Sequence, residues 1–345
     1  MIRDESLPSD AAPLEEPALG RRFLRPRTLI SFVVGLAIVG FILSRMNIDV
    51  TGSLAIIRRA NWVLYVTAIL VYYTVFVSRG WRWRVMLENT GAKRQDLPGI
   101  LGLGEIIYLS WFTNSLLPAK LGDVYRAYLL RSRSALTFTK VGGTIIAERI
   151  LDVAILIVLL GASALASFHG AIPPELVPAT EVGLVVILLA LAGIVVLARL
   201  DTRIRRQVPI RLVRAYDNVR EGTVGAFGAY PWLVGLSLFT WLGEVGRLYF
   251  VTLALGYSLS PNPVTNLVEV AFVAFAAAML SAVPLTPGGL GFVDGGMVGA
   301  LTLLNPSPDA ASAISSIWIL DRSISFGSLI VGGLIVYVAS HRHHT

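Results

Sequence analysis

Long apolar runs dominate this chain and are broken at intervals by short polar segments. Six of them, at 28–44, 61–78, 142–166, 182–198, 232–256 and 310–338, are each long enough for a helix to cross about 30 Å of hydrocarbon. Two further apolar regions, 98–130 and 264–304, carry prolines and glycines near their middle. Proline ends a helix, so each of these predicts a helical hairpin that returns the chain to the side it came from, whether re-entrant or fully crossing. The expected fold class is an all-α polytopic membrane protein.

The pattern repeats. Pro118-Ala119-Lys120-Leu121-Gly122-Asp123-Val124 matches Pro287-Gly288-Gly289-Leu290-Gly291-Phe292-Val293 at Pro, Leu, Gly and Val, an offset of 169. Trp62 corresponds to Trp232, Val77-Ser78-Arg79 to Val245-Gly246-Arg247, Glu105 to Glu269, and Glu148-Arg149 to Asp321-Arg322, in the same order. Each half therefore reads span, span, hairpin, span. Three crossings per half is an odd number, which predicts an inverted repeat of 28–168 and 178–340, after a cytoplasmic tail at 1–27 expected to be disordered.

Charge placement supplies sides. Basic residues concentrate at 79–97 (five), 131–140 (three) and 199–229 (seven), and the positive-inside rule makes these segments cytoplasmic, with both termini inside the cell (inner) membrane. Arg45, Arg58 and Arg59 fall outside. The formal charge of +7 is then an orientation signal and no nucleic-acid partner is expected. A signal peptide at the first run is disfavoured because Arg45-Met46-Asn47 follows it in place of small residues. Between 199 and 227, Leu212, Val213, Tyr216 and Val219 share one helical face amid arginines. That is the pattern of an interfacial helix on anionic inner-leaflet lipids, with a solvated linker as the competing account.

Charges inside the membrane segments are the candidate chemistry. Lys120, Arg126, Arg149, Arg247 and Arg322 face Glu105, Asp123, Glu148, Asp152, Glu244, Glu269, Asp294 and Asp321. Each costs a few kcal/mol on the insertion scale unless paired or hydrated. The imbalance toward acids predicts that some are protonated part of the time. Lys120, Asp123 and Arg126 lie beside the first break and suit an anionic headgroup; snorkelling to a nearby surface is the alternative for the two cations. Gly288, Gly289 and Asp294 mark the second break. Glu148-Arg149 and Asp321-Arg322 are candidates for the same site, or for a structural cross-pair between halves. Glu244 and Arg247, three apart, can pair locally. Asp152 and Glu105 have no cation nearby in sequence and, with Glu269, are candidates for a coupling proton.

The residues resemble a known family at three places. These are Leu117-Pro118-Ala119-Lys120-Leu121-Gly122-Asp123 followed by Arg126, Glu148-Arg149 followed by Asp152, and Pro287-Gly288-Gly289-Leu290-Gly291 followed by Asp294. Together they resemble the flippase-like transmembrane domain of lysylphosphatidylglycerol synthases and its stand-alone relatives, over roughly residues 28–338. The resemblance implies translocation of an anionic or aminoacylated phospholipid, or a polyprenyl-type lipid, between leaflets. Asp294 stands where relatives often have glutamate. No aminoacyltransferase domain follows up to Thr345, so lipid aminoacylation is not expected.

An intramembrane lipid-modifying enzyme and a non-transporting scaffold are the rival readings. The enzyme finds little support. There is no cysteine, His-Glu-x-x-His helix, paired metal ligands or Gly-x-Ser-x-Gly elbow, so no catalytic residue, metal or cofactor is expected.

Overall fold

The computed structural model describes residues 50–117, 120–170, 208–282 and 286–342, with isolated positions between 173 and 205. The expected first span, nearly all of the fourth and the N-terminal tail lie outside the described residues. Among the described residues the chain consists of helices and their connections, without strands.

A short helix α1 (Val50–Arg58) precedes α2 (Trp62–Asn89), whose first turn is capped by the Asn61 carboxamide accepting from Val63 N and Leu64 N. Asn at this position satisfies amides that the helix leaves unpaired. Two hairpin arms follow, α3 (Ile100–Leu116) and α4 (Leu121–Ser132), then the long α5 (Phe138–Ser167). The second half opens with α6 (Ile210–Gly225), which bends by 77° into α7 (Tyr230–Ala254). It continues with hairpin arms α8 (Pro263–Ala282) and α9 (Phe292–Leu304), and closes with α10 (Ala311–Arg322), a π-helical turn at Ser323–Ser328, and α11 (Leu329–Arg342).

Five described segments have the length and apolarity to cross a membrane: Trp62–Asn89, Phe138–Ser167, Pro263–Ala282, Pro287–Leu304 and Pro308–Val336; the bent α6–α7 pair adds a sixth. The two hairpins differ in reach. At 1.5 Å per residue, the 20 residues of α8 extend about 30 Å, whereas the 17 of α3 and 12 of α4 extend about 25 and 18 Å.

The two breaks share details. Leu117 before Pro118 is extended (φ −115°, ψ 142°), as is Thr286 before Pro287 (φ −130°, ψ 153°). A following proline's ring excludes the helical region for the residue before it. The helix after each break starts from a left-handed residue, Lys120 (φ 52°) or Gly291 (φ 81°), with an aspartate three positions on. Close packing seals the first hairpin: a Cβ on Gly122 would run into the Ser110 carbonyl and the Asn114 side chain, and the Gly122 amide instead donates to Asn114 Oδ1 at 2.7 Å.

The long helices that precede the two hairpins, α2 and α7, pack on each other and run antiparallel. Asn61 N donates to Ala254 O (2.7 Å) at one end, Ser78 and Thr240 hydroxyls meet (2.8 Å) near the middle, and Trp81 packs edge-on against Trp232 at the other end. The outer elements exchange around this pair: α5 of the first half packs on α8 of the second, and α11 of the second packs on α3 of the first.

Candidate functional site

The charges expected one by one form an ordered network, and α2 supplies two members that a loop reading of 79–97 had placed in the cytoplasm. Arg79 and Arg82 lie inside a continuous helix and are 4% and 0% exposed. They share the inward face that carries Tyr72, Val75, Phe76, Trp83 and Met86, so helical periodicity runs straight through the arginines.

Arg82 is held from three sides. It donates to Asp152 (Nη1–Oδ1 2.5 Å, Nη2–Oδ2 3.1 Å), to Glu148 Oε1 at 3.1 Å, and to Ser237 Oγ of the second half at 2.8 Å. The other oxygen of Glu148 accepts from Arg126 Nη2 at 2.7 Å, and the Arg126 guanidinium lies 3.8 Å over the Trp83 ring. Arg79 donates to Asp152 Oδ2 at 3.3 Å, sits 4.8 Å from the Trp111 ring, and reaches Glu244 of the second half at 3.8 Å. Glu244 pairs with Arg247 at 3.5 Å, as three-residue spacing predicts, and Arg247 also binds Asp321.

The result is one alternating string, Arg126–Glu148–Arg82–Asp152–Arg79–Glu244–Arg247–Asp321, with equal numbers of cations and carboxylates. Arg247 lies over the Tyr72 ring, so along α2 the string runs from Tyr72 to Arg82, about 15 Å or half the hydrocarbon thickness. Pairing of this kind is what makes buried charge tolerable in low dielectric. The acid excess predicted from the sequence therefore closes to a large extent: Arg79 and Arg82 add two buried cations, and Glu105 pairs at the surface with Arg133 at 3.1 Å. Asp152 and Glu105 both have cation partners that their sequence neighbourhoods do not show.

Two further pairs tie each broken helix to the long helix behind it. Asp123 accepts from Arg149 (Nη2–Oδ1 2.8 Å, Nε–Oδ2 3.2 Å). Asp294 accepts from Arg322, from Trp318 Nε1 at 2.9 Å and from the Gly291 amide at 2.7 Å. Asp123 and Asp294 thus play the same part, each in the first turn of its helix, where a carboxylate also favours the amide end of the dipole. The motif alignment had set Asp123 against Phe292, two residues away. Glu148-Arg149 and Asp321-Arg322 make their ion pairs within their own halves, so the cross-pair alternative is not what forms; within the buried string the ion pair that crosses between halves is Arg79–Glu244.

Lys120 stands apart. Among the described residues it has no carboxylate partner; its ammonium donates to the carbonyl of Ala282 at 2.7 Å, the last residue of α8. The tip of one hairpin therefore touches the end of an arm of the other. Gly288 and Gly289 occupy the second tip at positive φ, where Phe326 and Val293 leave no space for a side chain. Glu269 lies on α8, and its Oε2 has no hydrogen-bond partner among the described residues.

A second missed feature is a tyrosine clamp around the π turn. Tyr65 OH meets Ser323 Oγ (2.6 Å), Tyr72 OH donates to Ser325 O (3.3 Å), and Tyr73 and Tyr108 both reach Ser328 O (3.4 and 3.3 Å). A π turn is an interruption in the regular helical ladder, and here first-half hydroxyls bond along it. The signal in the sequence was the serine run at 323–328, read only as part of a span.

Residues 29–333 match the family described as the lysylphosphatidylglycerol synthase TM region. The chain belongs to that family. A UPF0104 membrane protein of Methanocaldococcus jannaschii is 33% identical over 236 residues, 67% of this chain and 95% of that protein. A UPF0104 membrane protein of Pyrococcus horikoshii is 24% identical, covering 88% of this chain and 95% of that protein. Glycosyltransferase AglD of Haloferax volcanii is 25% identical, covering 90% of this chain but 55% of AglD. The family match takes in both hairpins and every member of the ion-pair network, and the chain is a multi-pass membrane protein.

Proposed function

We propose that this chain is a lipid transporter of flippase type, built as two inverted halves, that carries a lipid headgroup across the bilayer at the seam between its two broken helices. The observation that carries the reading is the meeting of the hairpins at Lys120 and Ala282, at chain breaks whose backbone cannot be left facing hydrocarbon. Inverted repeats place substrate paths at such discontinuous helices. Antiparallel α2 and α7, with the reciprocal packing of α5 on α8 and α11 on α3, support the inversion.

In this reading the buried ion pairs are the scaffold, and the seam is where the headgroup passes. Anionic inner-leaflet lipids would lie against α6, where Ile210 and Leu212 are exposed. Of the three acids considered for a coupling proton, Glu269 is the one without an ion-pair partner among the described residues. The test is reconstitution into vesicles with tail-labelled fluorescent phospholipids and dithionite bleaching of the outer leaflet. Protein-dependent loss of inner-leaflet protection, without chemical change of the lipid, is expected; protection equal to that of empty vesicles refutes transport.

The relative named as a glycosyltransferase favours one second reading, in which the membrane module serves sugar transfer to a lipid. Product formation from a sugar donor and a polyprenyl-phosphate acceptor in the same vesicles would support it.

A further inference from the structure

We infer that the seam selects a headgroup of single net negative charge, a phosphodiester, with Lys120 as its counter-ion. The inference rests on the transport reading above and names its substrate class. Six arginines of the network face six carboxylates and cancel them, which leaves the Lys120 ammonium, beside the network, as the cation of the membrane segments without a carboxylate partner among the described residues. It offers three donors, of which one is taken by the Ala282 carbonyl at the junction between halves. One phosphodiester oxygen balances it. A pyrophosphate would leave surplus negative charge in low dielectric, and an aminoacylated, net cationic headgroup would be repelled.

The backbone supplies an independent reason. Lys120 sits at φ 52°, a left-handed conformation that a residue with a Cβ adopts at a cost, while at the second break both its motif match, Gly289 (φ 70°), and the residue that opens the following helix, Gly291 (φ 81°), are glycine. Glycine is the unstrained choice there, and the first half carries a lysine instead. Strain retained at a seam points to use of the side chain.

The experiment measures binding and movement separately in purified full-length protein, using wild type, Lys120→Gly, Lys120→Gln and Lys120→Arg. Binding is followed by tryptophan fluorescence with dihexanoylphosphatidylglycerol, dihexanoylphosphatidylcholine and dihexanoylphosphatidic acid in micelles. Movement is followed by dithionite bleaching with tail-labelled phosphatidylglycerol, phosphatidylcholine and lysyl-phosphatidylglycerol. Phosphatidylglycerol should bind and move at least about tenfold better than the zwitterionic and cationic lipids. Lys120→Gly and Lys120→Gln should abolish that preference and Lys120→Arg retain it. Lys120→Gly relieves the backbone but gives up the hydrogen bond to Ala282, so melting temperatures are measured beside binding for all variants, and a preference lost at a wild-type melting temperature separates lost recognition from lost folding. Equal binding of all headgroups, or a glycine variant that keeps the preference, overturns the inference. Lysine-dependent binding without movement upholds the charge selection and refutes the transport reading.

Discussion

Glu148 is the point at which the ion-pair string is easiest to test. Its side chain is 2% exposed and bridges Arg82 at 3.1 Å and Arg126 at 2.7 Å. Glu148→Leu leaves Arg82 with Asp152, but among the described residues it leaves Arg126 with no paired carboxylate, only the Trp83 ring beneath it. An uncompensated buried charge costs about 3–5 kcal/mol. Arg126→Met is milder, because Glu148 keeps Arg82; an underused buried acceptor costs about 1–3 kcal/mol. The double variant Arg126→Met/Glu148→Leu removes both ends of the pair and should lie within about 1–2 kcal/mol of wild type, since apolar replacement of a buried pair is often close to neutral. The second substitution therefore rescues the first. Equilibrium unfolding in mixed detergent–dodecyl sulfate micelles, followed by tryptophan fluorescence, gives the three values and their coupling. A double variant as unstable as the sum of the singles would refute the ion-pair network as drawn.

Other outcomes follow from single contacts. Gly222→Val should loosen α6 from α5, because a Cβ there meets the Lys140 carbonyl and the Cα of Gly143; faster proteolysis within 210–225 is the readout. Tyr108→Phe and Tyr73→Phe should each cost about 0.5–1.5 kcal/mol, and less than additively together since both reach Ser328 O, measured in the same micelle assay. Exchanging the charges of one anchoring pair, Asp123→Arg with Arg149→Asp, should recover part of the melting temperature lost by either single change. Glu269→Gln should leave folding intact and make any transport insensitive to an imposed proton gradient; unchanged gradient dependence, measured in vesicles, would remove Glu269 from the coupling role.

Much of the architecture was legible because it is written in run length and proline position. Both breaks and the local Glu244–Arg247 pair were readable from spacing. The partners of the remaining charges were not, because they lie on other helices: Asp152 looks solitary in sequence and is gripped by two arginines seventy residues upstream. Arg79 and Arg82 were hidden by a rule that counts arginine as cytoplasmic, although Trp83, Met86 and Leu87 continue the buried stripe beyond them. Asp123 and Asp294 were misaligned because the motif match followed the glycines. Their equivalence is one of helix position and partner.

The contact between Arg79 and Glu244 joins two sets of charges that do not balance separately. Leaving Lys120 aside, the first half brings four network arginines and three carboxylates, while the second brings two arginines and three carboxylates. Each half is one charge out of balance, in opposite senses. Two copies of the first half would face each other with surplus cations, and two copies of the second with surplus anions. The two parts of the chain are complementary in charge, and neither would balance a copy of itself.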